Sequence, residues 1–238
     1  MTADPKEESG REIIRTGNFV GDAAQFILRC ARAAMVERNE FRIALSGGNT
    51  PRPVYHELAR MGRDVAWERA LITFGDERCV PPDDKESNYR MARESLLLPA
   101  AVPEASVLRM RGEIDPQKAA DEYQEELDLR ARRGTETVYR HDLILLGLGD
   151  DGHTASLFPE TAALEESARG VVANFVPKLE SWRLTFTFPL ISAAREICFL
   201  VNGAKHAELV ERVLDGDERF PAARVRSASG RVTWIIGN

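Results

Sequence analysis

Two stretches of the chain carry residues suited to proton and anion chemistry. In GLGDDGHT, Gly147 to Thr154, one histidine follows two aspartates and sits among glycines. Histidine is the side chain whose ordinary pKa, about 6.5, suits proton transfer near neutral pH. Asp151, two residues before His153, can hold the imidazole or lend it charge. Gly149 and Gly152 let the backbone turn sharply, so that amides can point at a developing oxyanion. The plainer alternative is a helix-capping aspartate and a buried histidine bonded to a carbonyl. In GDER, Gly75 to Arg78, Asp76 and Glu77 can orient a ligand or exchange a proton. Arg78 can grip a phosphate through two parallel hydrogen bonds. The alternative there is a surface ion pair.

Three further stretches add donors and cations. SGGNTP, Ser46 to Pro51, offers glycines that let a ligand approach the backbone, followed by a helix start with unpaired N–H groups. Ser46, Gly47, Gly48, Asn49 and Thr50 therefore read as a phosphate cradle, although neither GxGxxG nor GxxxxGK[ST] is written. An ordinary tight turn with Thr50 as N-cap is the alternative. NGAKH, Asn202 to His206, places Lys205 and His206 in a first helical turn, where a lysine can meet an anion as a point charge. Arg183 adds a strand cation that is either structural or ligand-facing. His56 and His141 read as surface residues, and Trp67, Trp182 and Trp234 as packing at the core or its edges.

The elements that must position these turns follow from periodicity. Residues 11–16 and 41–46 read as strands, as do 71–74, 142–147, 183–188, 196–201 and 231–236. Helical spacing covers 22–40, and Thr50-Pro51 opens another helix. Further helices are expected over 88–98, 115–133 and 204–214. Short apolar strands alternating with helices predict an α/β fold, a mostly parallel Rossmann-like sheet with helices on both faces. Ligands of such sheets sit beyond the carboxyl ends of the strands. SGGNTP, GDER, GLGDDGHT and NGAKH each follow a strand, so all four should meet at one sheet edge.

Composition narrows the classes. The chain has 238 residues, 43% hydrophobic and 29% charged, with a net charge of −6. That predicts a flexible tail over 1–10 and a single domain over 11–238, with no nucleic-acid partner. Its three cysteines, Cys30, Cys79 and Cys198, show no metal or disulfide spacing, which fits a reducing compartment and a cytoplasmic protein. No signal peptide or membrane span is written. The acidic balance is compatible with a monomer.

Taken together, SGGNTP, GDERCVPPDDKESNYRMARESLL, LILLGLGDDGHTASLFP and RLTFTFPLISAAREICFLVNGAKHAELVERVL resemble the 6-phosphogluconolactonase family over nearly the whole chain. The resemblance implies the sheet of the glucosamine-6-phosphate deaminase and ribose-5-phosphate isomerase type. It also implies hydrolysis of 6-phosphogluconolactone to 6-phosphogluconate, without a required cofactor or metal, in the oxidative pentose phosphate pathway. Carried over, His153 is the acid/base and Asp151 tunes or positions it. Ser46 and Gly47 to Thr50 meet the sugar phosphate or its hydroxyls. Arg78 binds substrate, with Asp76 and Glu77 shaping that corner, and Arg183 is a second phosphate cation. Asn88, in Ser87-Asn88-Tyr89, lines or closes the site. The family places a lysine three residues after the glycine of the last turn. That position is His206 here, and Lys205 comes one earlier, rotated about 100° on a helix. Either Lys205 still reaches, or His206 substitutes, or Arg183 suffices.

Three other readings compete with lactone hydrolysis. Deaminases resembling this sequence carry a glutamate five residues after the histidine, as in DGHIAFNEP, to assist ring opening. Phe158 stands there and cannot take a proton. A non-catalytic sugar-phosphate sensor would carry a basic DNA-binding segment, which is not written before Arg11. A Ser-His-Asp hydrolase needs a GxSxG elbow, and Ser46 lacks the preceding glycine.

Overall fold

The structure is a computed structural model that describes residues 11–203, 207–228 and 230–237. Six strands form one sheet in the order β1-β9-β8-β5-β2-β3: β1 (Arg11–Thr16), β2 (Phe41–Leu45), β3 (Ala70–Phe74), β5 (Leu143–Leu146), β8 (Ile197–Asn202) and β9 (Val232–Gly237). Every neighbouring pair in it is parallel. The α/β architecture with a parallel sheet is thus as expected from the sequence.

Period-two alternation explains why the strands read as continuous apolar runs. On β5, Leu143 and Leu145 face one core, while Ile144 and Leu146 face the other. On β8, Cys198 and Leu200 join the first and Ile197, Phe199 and Val201 the second. Both faces are buried, so polar alternation disappears. The first core is closed by helix α1 (Phe19–Arg38), helix α2 (Pro51–Met61) and the short helix α3 (Asn88–Ala92), which runs on into a π turn. The second is closed by helix α4 (Pro116–Arg133) and helix α6 (Ala207–Leu214). Asp115 caps α4 by accepting the Lys118 N–H, and Gly134 ends it, which bounds the helix expected over 115–133.

Strands β4 (Asp76–Arg78) and β6 (Val171–Val176) and the short helix α5 (Phe188–Ser192) are not marked in the sequence pattern. With strand β7 (Ser181–Phe186), β4 and β6 form a separate antiparallel sheet in the order β4-β7-β6, and α5 follows it. The strand expected at 183–188 therefore belongs to this small sheet, not to the parallel one. Two expectations about single residues also change. His141 is fully buried, not at the surface: its Nε2 shares a 2.9 Å hydrogen bond with the Thr73 hydroxyl and its ring stacks edge-on against Tyr139. Trp67 and Trp234 are in the core, but Trp182 is exposed beside Phe175 on the small sheet.

The topology fixes the site. From β2 the chain runs to β3 on one side, while from β5 it runs to β8 on the other. The crevice beyond the carboxyl ends of β2 and β5 is thus the topological switch point of the sheet, where open α/β sheets bind ligands.

Candidate active site

A cleft of about 590 Å³ opens at that switch point. SGGNTP from β2, GDER from β3 and GLGDDGHT from β5 all contribute to its wall, together with Arg183 from β7. Ser46, Gly47, Gly48, Asn49, Thr50, Asp76, Arg78, Asn88, Asp151, His153 and Arg183 are therefore brought together as expected. Asn202 and Gly203 are not in the wall, and Lys205 lies outside the described residues, as does His206.

His153 is the centre of the polar arrangement. Its Nδ1 lies 2.5 Å from Oδ1 of Asp151, and the same oxygen accepts the His153 backbone N–H at 3.2 Å. A carboxylate accepting from Nδ1–H leaves the lone pair on Nε2. Nε2 has no protein partner among the described residues. The imidazole stacks on Phe158, centroid to centroid 4.0 Å with 26° between planes. Burial pushes the His153 pKa below its ordinary value. The Asp76 and Asp150 carboxylates oppose that shift, and the Arg78 and Arg183 guanidiniums add to it. At neutral pH the ring is then the free base, the form that can accept a proton.

The glycines have specific tasks. A Cβ on Gly149 would stand 2.0 Å from the His153 ring, so only glycine allows the imidazole to lie across this turn. Gly152 adopts φ +76 and backs onto Phe220. A Cβ on Gly47 would stand 1.9 Å from Oδ1 of Asn88, so the first turn can settle on Asn88 only without a side chain. The N–H groups of Gly47, Gly48 and Asn49 have no hydrogen-bond partner among the described residues, and they precede the N-terminus of α2. Thr50 makes no side-chain cap bond to α2, so the simple capping role is not taken up. Oγ of Ser46 is buried without a partner.

Asp76, Glu77, Arg78 and Asn88 divide between cleft and scaffold. Asp76 accepts from the Ser156 hydroxyl at 2.7 Å and from Nδ2 of Asn88 at 3.3 Å. Glu77 was expected to touch the ligand corner, but it does not line the cleft. It is buried, and its two oxygens accept the backbone N–H groups of Arg78, Asn88 and Tyr89 and the Ser87 hydroxyl. Strand alternation turns it away from its neighbours on β4, so it shapes that corner only by anchoring the start of α3. Arg78 donates through Nη1 to the Glu86 carbonyl at 2.6 Å. In the β4–β7 ladder Arg78 is directly opposite Arg183. Burial lowers the Arg183 pKa, and the neighbouring Arg78 lowers it further. Like charges directly opposite each other across a strand pair are unfavourable, so an anion between or above this pair would be stabilised by both.

Residues 16–234 match the family described as glucosamine-6-phosphate isomerases/6-phosphogluconolactonase. The chain is 41% identical to a 6-phosphogluconolactonase of Synechocystis over 206 residues, covering 85% of this chain and 84% of that one. It is 35% identical to a 6-phosphogluconolactonase of Chlamydia trachomatis over 241 residues, covering 100% and 87%. The 6-phosphogluconolactonase structure from Thermotoga maritima superposes with a TM-score of 0.82 at 27% identity, covering 96% of this chain and 99% of that one. That from Trypanosoma brucei gives 0.82 at 28% identity, covering 97% and 96%. The chain belongs to the glucosamine-6-phosphate isomerase/6-phosphogluconolactonase family.

A carboxylate in place of Phe158 could exchange a proton with His153, whereas the apolar ring there only packs against the imidazole. Sequence reasoning missed Ser156 and Lys178 as members of the cleft, and it read Phe158 only as the residue in place of a glutamate. Ser156 fixes Asp76, Phe158 stacks on His153, and Lys178 pairs closely with Oδ2 of Asp151. Ser156 and Phe158 lie in the quoted GLGDDGHTASLFP stretch and were readable as turn residues. Lys178 sits in VPKLE, a segment with no glycine or strand signal of its own, and only the fold brings it to Asp151. Among the described residues no group of three or more His, Cys, Asp or Glu is placed to hold a metal ion.

Proposed function

We propose that this protein hydrolyses 6-phospho-D-glucono-1,5-lactone to 6-phospho-D-gluconate, the second step of the oxidative pentose phosphate pathway, with His153 as the group that moves the proton. The observation that carries this reading is the His153–Asp151 pair in one cleft with the opposed Arg78 and Arg183. Nε2 of His153 takes a proton from water as its oxygen attacks C1 of the lactone. The carbonyl oxygen becomes an oxyanion, for which the N–H groups of Gly47, Gly48 and Asn49 at the start of α2 are the available donors. As the intermediate collapses, the C1–O5 bond breaks and the imidazolium returns its proton to O5. Asp151 keeps Nδ1–H oriented and stabilises the imidazolium meanwhile. Arg78 and Arg183 receive the phosphate, which relieves their mutual repulsion. Phe158 argues against the ring-opening chemistry of the isomerase branch, because it offers no second proton acceptor beside His153.

No helix among the described residues is long and apolar enough to cross a membrane. The reading places the protein in the cytoplasm, as one monomeric domain acting on a small phosphorylated lactone without a cofactor. Its test is proton release from freshly generated lactone above the spontaneous rate. Wild type accelerates it, and His153→Ala loses about 10²- to 10⁴-fold in kcat with the fold intact. Activity near wild type in the variant would make the histidine structural.

A further inference from the structure

We propose that Lys178 is a positioning residue for proton transfer at His153: it fixes Asp151 and offsets its charge, so that the imidazole is held in place yet remains unprotonated at neutral pH. The inference rests on the hydrolytic reading above. Lys178 lies in the single turn Pro177–Leu179 between β6 and β7, closed by a 3.0 Å hydrogen bond from the Glu180 N–H to the Pro177 carbonyl. That turn forms part of the cleft wall. The ammonium pairs with Oδ2 of Asp151, while Oδ1 holds Nδ1 of His153. The same ammonium stands 4.7 Å over the ring of Phe158, which stacks on the opposing imidazole. One cation therefore touches both groups that orient His153, the carboxylate and the aromatic ring. An exposed ion pair alone contributes little. This one acts through the histidine behind it.

The charges around the imidazole give the direction of the effect. Asp150 and Asp151 come from its own loop, Asp76 and Arg78 from β4, Arg183 from β7 and Lys178 from the β6–β7 turn. Three carboxylates face three cations. Removing Lys178 tips the balance to negative, favours the imidazolium and takes away the free base near neutral pH. Without Lys178, Oδ2 of Asp151 loses its cation and the carboxylate is held only through Oδ1, by the ring and the backbone N–H of His153. A lysine that instead met the substrate directly would govern binding and leave the titration of His153 alone.

The experiment compares wild type, Lys178→Met and Lys178→Arg by two measurements. The first is the pH profile of lactone hydrolysis between pH 5.5 and 8, resolved into kcat and KM. The second is an NMR titration of the His153 ring in the ligand-free protein, assigned with His153→Ala. In Lys178→Met we expect the acid limb of kcat/KM and the ring titration both to move up by about one pH unit. We expect kcat at pH 7 to fall on the order of 10-fold, with KM near wild type. Lys178→Arg restores both. An unmoved limb and titration, or a rise in KM alone, overturns the proposal. If wild type fails to hydrolyse the lactone while the ring titration still moves in Lys178→Met, the hydrolytic reading falls and the Lys178–His153 coupling stands.

Discussion

Gly149→Ala isolates the placement of the imidazole from everything else in the cleft. The backbone at Gly149 lies outside the left-handed region, so alanine is acceptable there on conformational grounds. Its methyl carbon would stand 2.0 Å from Cε1 and 2.1 Å from Nδ1 of His153. Contacts of that kind do not occur below about 3 Å, so the ring must retreat by at least about 1 Å. Phe158 closes the stacked face of the imidazole, so the retreat strains the 2.5 Å contact with Asp151. A misplacement of about 1 Å at a reacting group costs on the order of 10²-fold in rate. The forced repacking costs about 1–3 kcal/mol of stability. The assay is proton release from the phosphorylated lactone, with kcat and KM resolved and a urea melt run beside it. We expect kcat to drop on the order of 10²-fold while KM stays close to wild type, because Arg78 and Arg183 are on the other sheet. A kcat within twofold of wild type would refute the reasoning: either the ring has room the structure denies, or its position does not matter to the reaction.

Three other predictions concern the scaffold and the anion site. Arg78→Ala and Arg183→Ala should each raise KM for the phosphorylated lactone roughly 10- to 100-fold, the loss of a charge-assisted contact. Hydrolysis of unphosphorylated gluconolactone should be unaffected, and an equal loss on both substrates would remove the phosphate role. Glu77→Gln sets an amide NH₂ against donors such as the Tyr89 N–H and the Ser87 hydroxyl, and should cost about 1.5–3 kcal/mol in urea unfolding with little change in kcat or KM. An activity loss without destabilisation would return Glu77 to the cleft. His141 is held neutral, its pKa lowered from 6.5 to about 3 by burial and then by Arg42. The unfolded chain takes up that proton first as pH falls. Stability is therefore undiminished above about pH 6.5 and declines toward about pH 3 by up to about 1.4 kcal/mol per pH unit. Urea midpoints from pH 7 to 4.5 should fall less steeply in His141→Gln, and parallel slopes would show that the ring is not the source.

Turn chemistry and strand period are local, and the sequence by itself determined what depends on them. The apolar runs at β2, β3, β5 and β8 specify a sheet buried on both faces, and the glycine-rich turns after β2, β3 and β5 mark one edge of it. The Asp151–His153 pair is local as well, since a single residue, Gly152, separates the partners. The tertiary structure alone decided what depends on register between distant segments. Strand β4 has three residues and β6 has no periodic signal, so nothing in either predicts an antiparallel sheet with β7. That pairing sets Arg78 opposite Arg183, turns Glu77 into the scaffold and delivers Lys178 to Asp151. The burial of His141 has the same origin, because it follows from Tyr139, Thr73 and Phe186 closing around it. A residue's type and its near neighbours fix what chemistry it can do, and the long-range pairing of strands fixes what it faces.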